Sequence, residues 1–124
     1  MLPNESTENY LEHIYMLKQR QDKIRAVDLA ESLNFSKASV SLALKRLQNQ
    51  ELICLEADHT ITLTDIGQEI AEEVYQRHIT LRNYFICLGV DPEAADADAC
   101  KIEHDLSEQT FRQIKKHYEE MIDV

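Results

Sequence analysis

Glycine, proline and tryptophan are nearly missing from this chain: two glycines, two prolines and no tryptophan in 124 residues. Loop-rich all-β folds need turn formers at every reversal, so their scarcity points to helices joined by short connections. Cysteine is confined to Cys54, Cys87 and Cys100, an odd, widely spaced set with no CxxC pair. That argues against a disulfide framework and for a cytoplasmic protein. No apolar run approaches the roughly 20 residues of a membrane span, and the opening "MLPNESTENY" has no signal-peptide h-region, so neither membrane insertion nor export is expected. The 44% apolar content suits one compact domain, or two very small ones sharing a core.

What is present is mostly acid, unevenly spread. Residues 1–64 hold 7 Lys and Arg against 9 Asp and Glu, and residues 65–124 hold 6 against 14, so −8 of the net −10 lies in the second half. Within 18–46 the balance reverses: Lys18, Arg20, Lys23, Arg25, Lys37, Lys45 and Arg46 face only Asp22, Asp28 and Glu31. A nucleic-acid face fits there, while the overall acidity argues against promiscuous DNA binding.

Apolar spacing predicts a first helix from about Glu5 to Arg20, capped by Asn4 or Ser6, with Leu11, Ile14 and Tyr15 on one side and Asn9, Glu12, His13 and Met16 on the other. Two short helices follow, turning at Leu33-Asn34-Phe35-Ser36, with Val27, Leu29, Ala30, Leu33, Val40, Leu44 and Leu47 inward. The alternation in "LICLEADHTITLT" reads as a β-hairpin turning at Ala57-Asp58-His59. Thr64-Asp65 caps a long helix to about Leu88, with Ile66, Ile70, Val74, Leu81, Phe85 and Leu88 as its stripe and Gly89 as its stop. Asp91-Pro92 opens another helix, and a last one follows Ser107 with Phe111, Ile114, Tyr118 and Ile122 as its apolar face. The expected fold is mainly α: an N-terminal winged helix-turn-helix over 1–64 and a helical domain over 65–124.

Helix, tight turn, helix and β-ribbon is the order of a winged helix-turn-helix, whose second helix leads into the major groove with its N-terminal residues. Those residues are Ser36, Lys37, Ser39 and Ser41, able to donate to phosphates and base edges, with Lys45 and Arg46 further along for the DNA backbone. An ordinary αα-hairpin with a soluble Ser/Lys face is the bland alternative. The hairpin and the locally basic segment favour DNA.

The stretch "ACKIEHDLS" brings Cys100, Glu103 and His104 to i, i+3 and i+4 of one helical face. Thiolate, carboxylate and imidazole suit a borderline divalent metal, but three residues rarely complete a site. Taken alone, the triplet is better explained by a solvated Glu, a small buried Cys and a helix-end His. His78 interrupts an apolar stripe; such a residue is more often a hydrogen-bonded core histidine, yet it also offers the imidazole an incomplete site lacks. Glu12 and Asn9 can supply oxygen. A small metallohydrolase with Glu103 as general base is an alternative reading, weakened by the absence of a phosphate-cradling loop.

Taken in order, "TENYLEHIYML", the helix-turn-helix, "LTDIG", "RHITL", "LGVD" and "CKIEHDLS" resemble the diphtheria-toxin-repressor family of metal-dependent transcriptional regulators, in the short two-domain form of the manganese-transport regulators. The resemblance implies a homodimer that binds a palindromic double-stranded operator when Fe2+ or Mn2+ ties the reading head to the dimerisation helices. It implies no small organic substrate. Carried over residue by residue, the metal positions are Asn9, Glu12, His78, Cys100, Glu103 and His104, with Glu8 a substitute for Asn9. Arg82 and Asp96 stand where iron-type members keep a secondary site, so one metal per protomer is expected. The thiolate of Cys100 shifts preference toward Fe2+ over Mn2+, with Co2+, Ni2+ or Zn2+ able to substitute in vitro. A winged-helix regulator answering to another metal, or to none, is the other reading in the same class.

Overall fold

The structure, a computed structural model, describes residues 4–123. Its elements run α1 (Glu5–Lys18), α2 (Ala26–Leu33), α3 (Lys37–Asn49), β1 (Ile53–Leu55), β2 (Ile61–Leu63), α4 (Asp65–Cys87), α5 (Pro92–Ile102) and α6 (Glu108–Ile122). Two compact units divide within α4, one running through Glu72 and the other starting at Glu73. None of these helices is long and apolar enough to cross a membrane.

In the first unit the predicted winged helix-turn-helix is present. Asn4 caps α1, its side chain accepting from Thr7 N at 2.8 Å. Asn34 ends α2 in the left-handed region at φ 57°, where an Asn pays little strain, and Phe35 N closes the turn on Ala30 O at 3.1 Å. Ser36 then caps α3 by accepting from Ser39 N at 3.2 Å. Strands β1 and β2 pair antiparallel, Ile53 with Leu63 and Leu55 with Ile61. Ile61 N also donates to Ile24 O at 2.7 Å, which ties the hairpin to the α1–α2 connection. Leu11, Ile14, Ile24, Leu29, Val40, Leu44, Leu47, Ile53 and Ile61 form the core.

Two of the inward assignments fail on helical geometry. Val27 is exposed: it stands about 200° round α2 from the buried Leu29. Ile66 is exposed too, because the buried line of α4 runs through Gly67, Ala71, Val74, His78 and Leu81, with Ile70 half-buried against the core beside it. Gly67 selects that line. It lies against the carbonyl oxygen of Leu52, where a β-carbon would overlap main chain. Thr64 joins the same junction, its Oγ1 donating to Glu51 O at 2.8 Å and accepting from Gly67 N at 3.1 Å.

In the second unit α4 stops at Cys87 and Gly89 takes φ 104°, with Val90 N on Phe85 O at 3.0 Å. Leu88, placed on the apolar stripe by its spacing, lies past that end and is exposed. Asp91 and Pro92 open α5 as expected, and Ser107 caps α6, accepting from Thr110 N at 3.1 Å. Helix α6 buries none of its residues fully within the chain, although Phe111, Ile114, Tyr118 and Ile122 line one face.

Candidate metal centre and nucleic-acid surface

Helix α5 ends at Ile102, so the triplet is not wholly helical. Cys100 lies in its last turn, Glu103 is the C-cap and His104 belongs to the turn beyond. Arg77 of α4 holds that turn. Its Nη1 donates to the carbonyl oxygens of Glu103 at 3.0 Å and Leu106 at 2.9 Å, and its guanidinium lies 5.1 Å from the centre of the Phe111 ring. The Glu103 carbonyl caps a helix and that of Leu106 lies in the connection beyond it; neither has an intrahelical donor, and the guanidinium supplies one to each.

The burial pattern reverses the bland reading of the triplet: Glu103 is 1% exposed, whereas Cys100 is exposed. His78, only 6% exposed on α4, faces this carboxylate with Nδ1 2.8 Å from Glu103 Oε2. Cys100 Sγ is 3.7 Å from the same nitrogen. On the far edge of the ring Nε2 lies 2.8 Å from Asp96 Oδ1. Two ionised carboxylates, one at each ring nitrogen, require both nitrogens to donate, which makes the ring an imidazolium. The contacts from Cys100 and Glu103, with Asp96 adding to them, hold its pKa above the ordinary 6.5, at about 11, against the opposing effect of burial.

His78, Cys100 and Glu103 can each present a ligand atom within 4.8 Å of the others. Glu103 Oε1 is buried and accepts no hydrogen bond among the described residues; His104 Nε2, at 3.3 Å, is within ion-pair reach only. An uncommitted buried carboxylate oxygen beside an imidazole and an accessible thiol is a donor set that fits a divalent transition metal. Asn9 and Glu12 lie one turn apart on α1 in the first unit. Glu12 is buried and Asn9 half-buried, although the spacing put both on a polar face.

On α3, Ser36, Lys37, Ser39, Ser41, Lys45 and Arg46 are all exposed. Ser36 is committed to capping, its hydroxyl donating to Ser39 Oγ at 3.0 Å. Arg46 leans toward α1, donating to Ser6 Oγ at 3.4 Å. The middle of the exposed face is Ala38, Leu42 and Lys45, and Leu42 is 70% exposed. A groove beside this face is lined by Arg25, Ser41, Lys45 and His59. Sequence reasoning missed Leu42 and His59 and counted Arg25 only as part of the basic segment; a helical wheel of α3 would have found Leu42, whereas Arg25 and His59 reach the groove only through tertiary structure. Asp96 and Arg77 were missed as partners of the metal centre for the same reason.

Residues 4–60 match the family model described as the iron dependent repressor N-terminal DNA binding domain, and residues 64–121 match its metal binding and dimerisation domain. The chain is 33% identical over 122 residues to an HTH-type transcriptional regulator of Methanocaldococcus jannaschii, covering 97% of this chain and 98% of the relative. It is 37% identical over 107 residues to the transcriptional regulator MntR of Escherichia coli, covering 86% of this chain and 69% of that one. Among solved structures, the manganese regulator SloR superposes with a TM-score of 0.80 at 28% identity, covering 96% of this chain and 55% of the other. A manganese-dependent transcriptional repressor in complex with manganese gives 0.83 at 26% identity, covering 91% and 52%. The chain thus spans about half the length of these solved relatives. The chain belongs to the iron dependent repressor family of metal-dependent, DNA-binding transcriptional repressors, which are regulators and not enzymes.

Proposed function

We propose that this protein is a metal-activated repressor of genes for metal homeostasis, acting in the cytoplasm as a homodimer on a palindromic operator. The observation that carries the reading is the convergence of His78, Cys100 and Glu103, with a buried uncommitted carboxylate oxygen, on a chain whose first unit is a winged helix-turn-helix. Residues 1–64 are assigned to DNA reading and 65–124 to dimerisation and metal binding. The amphipathic α6, unburied within one chain, supports self-association. Three free thiols suit a reducing compartment.

His78, Cys100 and Glu103 hold the ion, and the family resemblance adds Asn9, Glu12 and His104 as ligands. The ion supplies positive charge to a site rich in carboxylate, and binding the DNA-competent state 100-fold more tightly would bias the equilibrium by about 2.7 kcal/mol. Manganese is named for several relatives, but the soft thiolate of Cys100 favours Fe2+ here. On DNA, Lys37, Ser39, Ser41, Lys45 and Arg46 make the contacts, and Ser36 sets the start of the helix that presents them.

The test is operator binding at fixed salt, with chelator and then with anaerobic Fe2+, Mn2+ or Zn2+, for the native chain and Cys100→Ala. Metal should tighten binding by at least tenfold, Fe2+ at lower concentration than Mn2+, and the substitution should erase most of that gain while sparing metal-free binding. Equal affinity with and without metal would reject metal activation. Equal losses in both states would remove Cys100 from the site.

A further inference from the structure

Asp96 does not figure among the proposed metal ligands, yet its carboxylate is placed against the imidazole of His78, which does. Asp96 Oδ1 lies 2.8 Å from His78 Nε2, and Arg82 Nε lies 3.5 Å from that same oxygen. The three groups form a chain of alternating charge along one side of α4: guanidinium, carboxylate, ring. The opposite edge of the ring, Nδ1, faces Glu103 Oε2 at 2.8 Å and Cys100 Sγ at 3.7 Å.

An imidazole can ligate through either nitrogen, and the nitrogen left over must keep its proton. A carboxylate accepting from that N–H fixes the tautomer, stops the ring from flipping and makes the ligating nitrogen more basic. Here the nitrogen beside the thiol and the buried carboxylate is Nδ1, and the nitrogen beside Asp96 is Nε2. Asp96 is partly open to water, its side chain 54% exposed, and the guanidinium of Arg82 lies on the side of its Oδ1 at 3.5 Å. The guanidinium also disfavours a second divalent ion at Asp96, since both would carry positive charge within a few ångströms.

Resting on the metal-centre reading above, we infer that Asp96, steadied by Arg82, is a positioning residue that retains the proton on His78 Nε2 and so delivers Nδ1 to the metal. Asp96 itself is not a ligand, and the chain takes one ion at this centre.

The test uses 15N-histidine-labelled protein loaded with Zn2+ and, in parallel, with 113Cd2+. In the native chain His78 should show a protonated Nε2, a metal-shifted Nδ1 and a 113Cd coupling to Nδ1 alone, at one equivalent of metal per chain. Asp96→Ala should weaken Zn2+ binding by roughly tenfold to a hundredfold and blur the tautomer pattern. Asp96→Asn, whose side-chain oxygen can still accept from Nε2–H, should recover the pattern and part of the affinity. Coupling of 113Cd to Nε2, a second equivalent bound at the centre, or Asp96→Ala with native affinity and native His78 shifts would each overturn the inference. Failure of the native chain to bind either metal would instead overturn the metal-centre reading on which it stands.

Discussion

Replacing Glu103 by Gln removes one charge from the centre while keeping its shape. In the metal-free protein the amide oxygen can still accept from His78 Nδ1–H, so the loss is that of a charge-assisted bond made neutral, about 1–2 kcal/mol. The larger change comes with metal. At a free ion concentration 100 times the native Kd, binding stabilises the folded chain by about 2.7 kcal/mol, and a hundredfold weaker Kd leaves about 0.4 kcal/mol. For a chain of this size about 3–5 °C accompanies each kcal/mol, so the metal-induced rise in Tm should fall from roughly 8–14 °C to roughly 1–2 °C. Circular dichroism melts of both proteins, with EDTA and with matched free Zn2+, measure both terms. A Glu103 that is merely the counter-ion of His78 would lower the metal-free Tm and leave any metal increment intact. That result would refute the reasoning.

Four further outcomes are expected. The imidazolium form of His78 stabilises the metal-free fold fully below its unfolded pKa of 6.5 and stops doing so as pH rises through about 11, so metal-free urea midpoints should fall from pH 7 to pH 10. Metal affinity should move the other way between pH 6 and 8, by about tenfold or more per unit, because the ion displaces a proton from His78 Nδ1 and the proton of the Cys100 thiol; parallel trends would contradict this. Arg77→Ala removes both carbonyl contacts and the Phe111 face, so unfolding free energy should drop by about 2–3 kcal/mol, with Arg77→Lys between, in denaturant titrations. Gly67→Ala should cost about 1–3 kcal/mol through overlap with Leu52 O, and a neutral result in the same titration would mean that the α4 start can shift freely.

Local chemistry made most of the fold legible in the sequence. Asn4, Ser36, Thr64, Asp91 and Ser107 each stand where a helix must satisfy orphan N–H groups, and Asn34 and Gly89 where the chain must turn left-handed. Periodicity was less decisive on α4. Two candidate stripes one residue apart were both apolar at their start, and only the approach of Leu52 O to Gly67 chooses between them. At the metal centre the donor types were readable, since they follow from residue identity and spacing. The roles of Asp96 and Arg77 were not, because each depends on helices 18 to 29 positions apart in sequence being brought together.

Because α5 ends before Glu103, the proposed donors are mounted differently. His78 and Cys100 project from regular helix, whereas Glu103 caps one and is held by Arg77 through main-chain oxygens. In the proposed centre the Glu103 donor is thus placed by a cap that Arg77 clamps from α4, so the clamp shares in setting where the carboxylate stands. On that reading the softness of the sulfur weighs on the choice among cations.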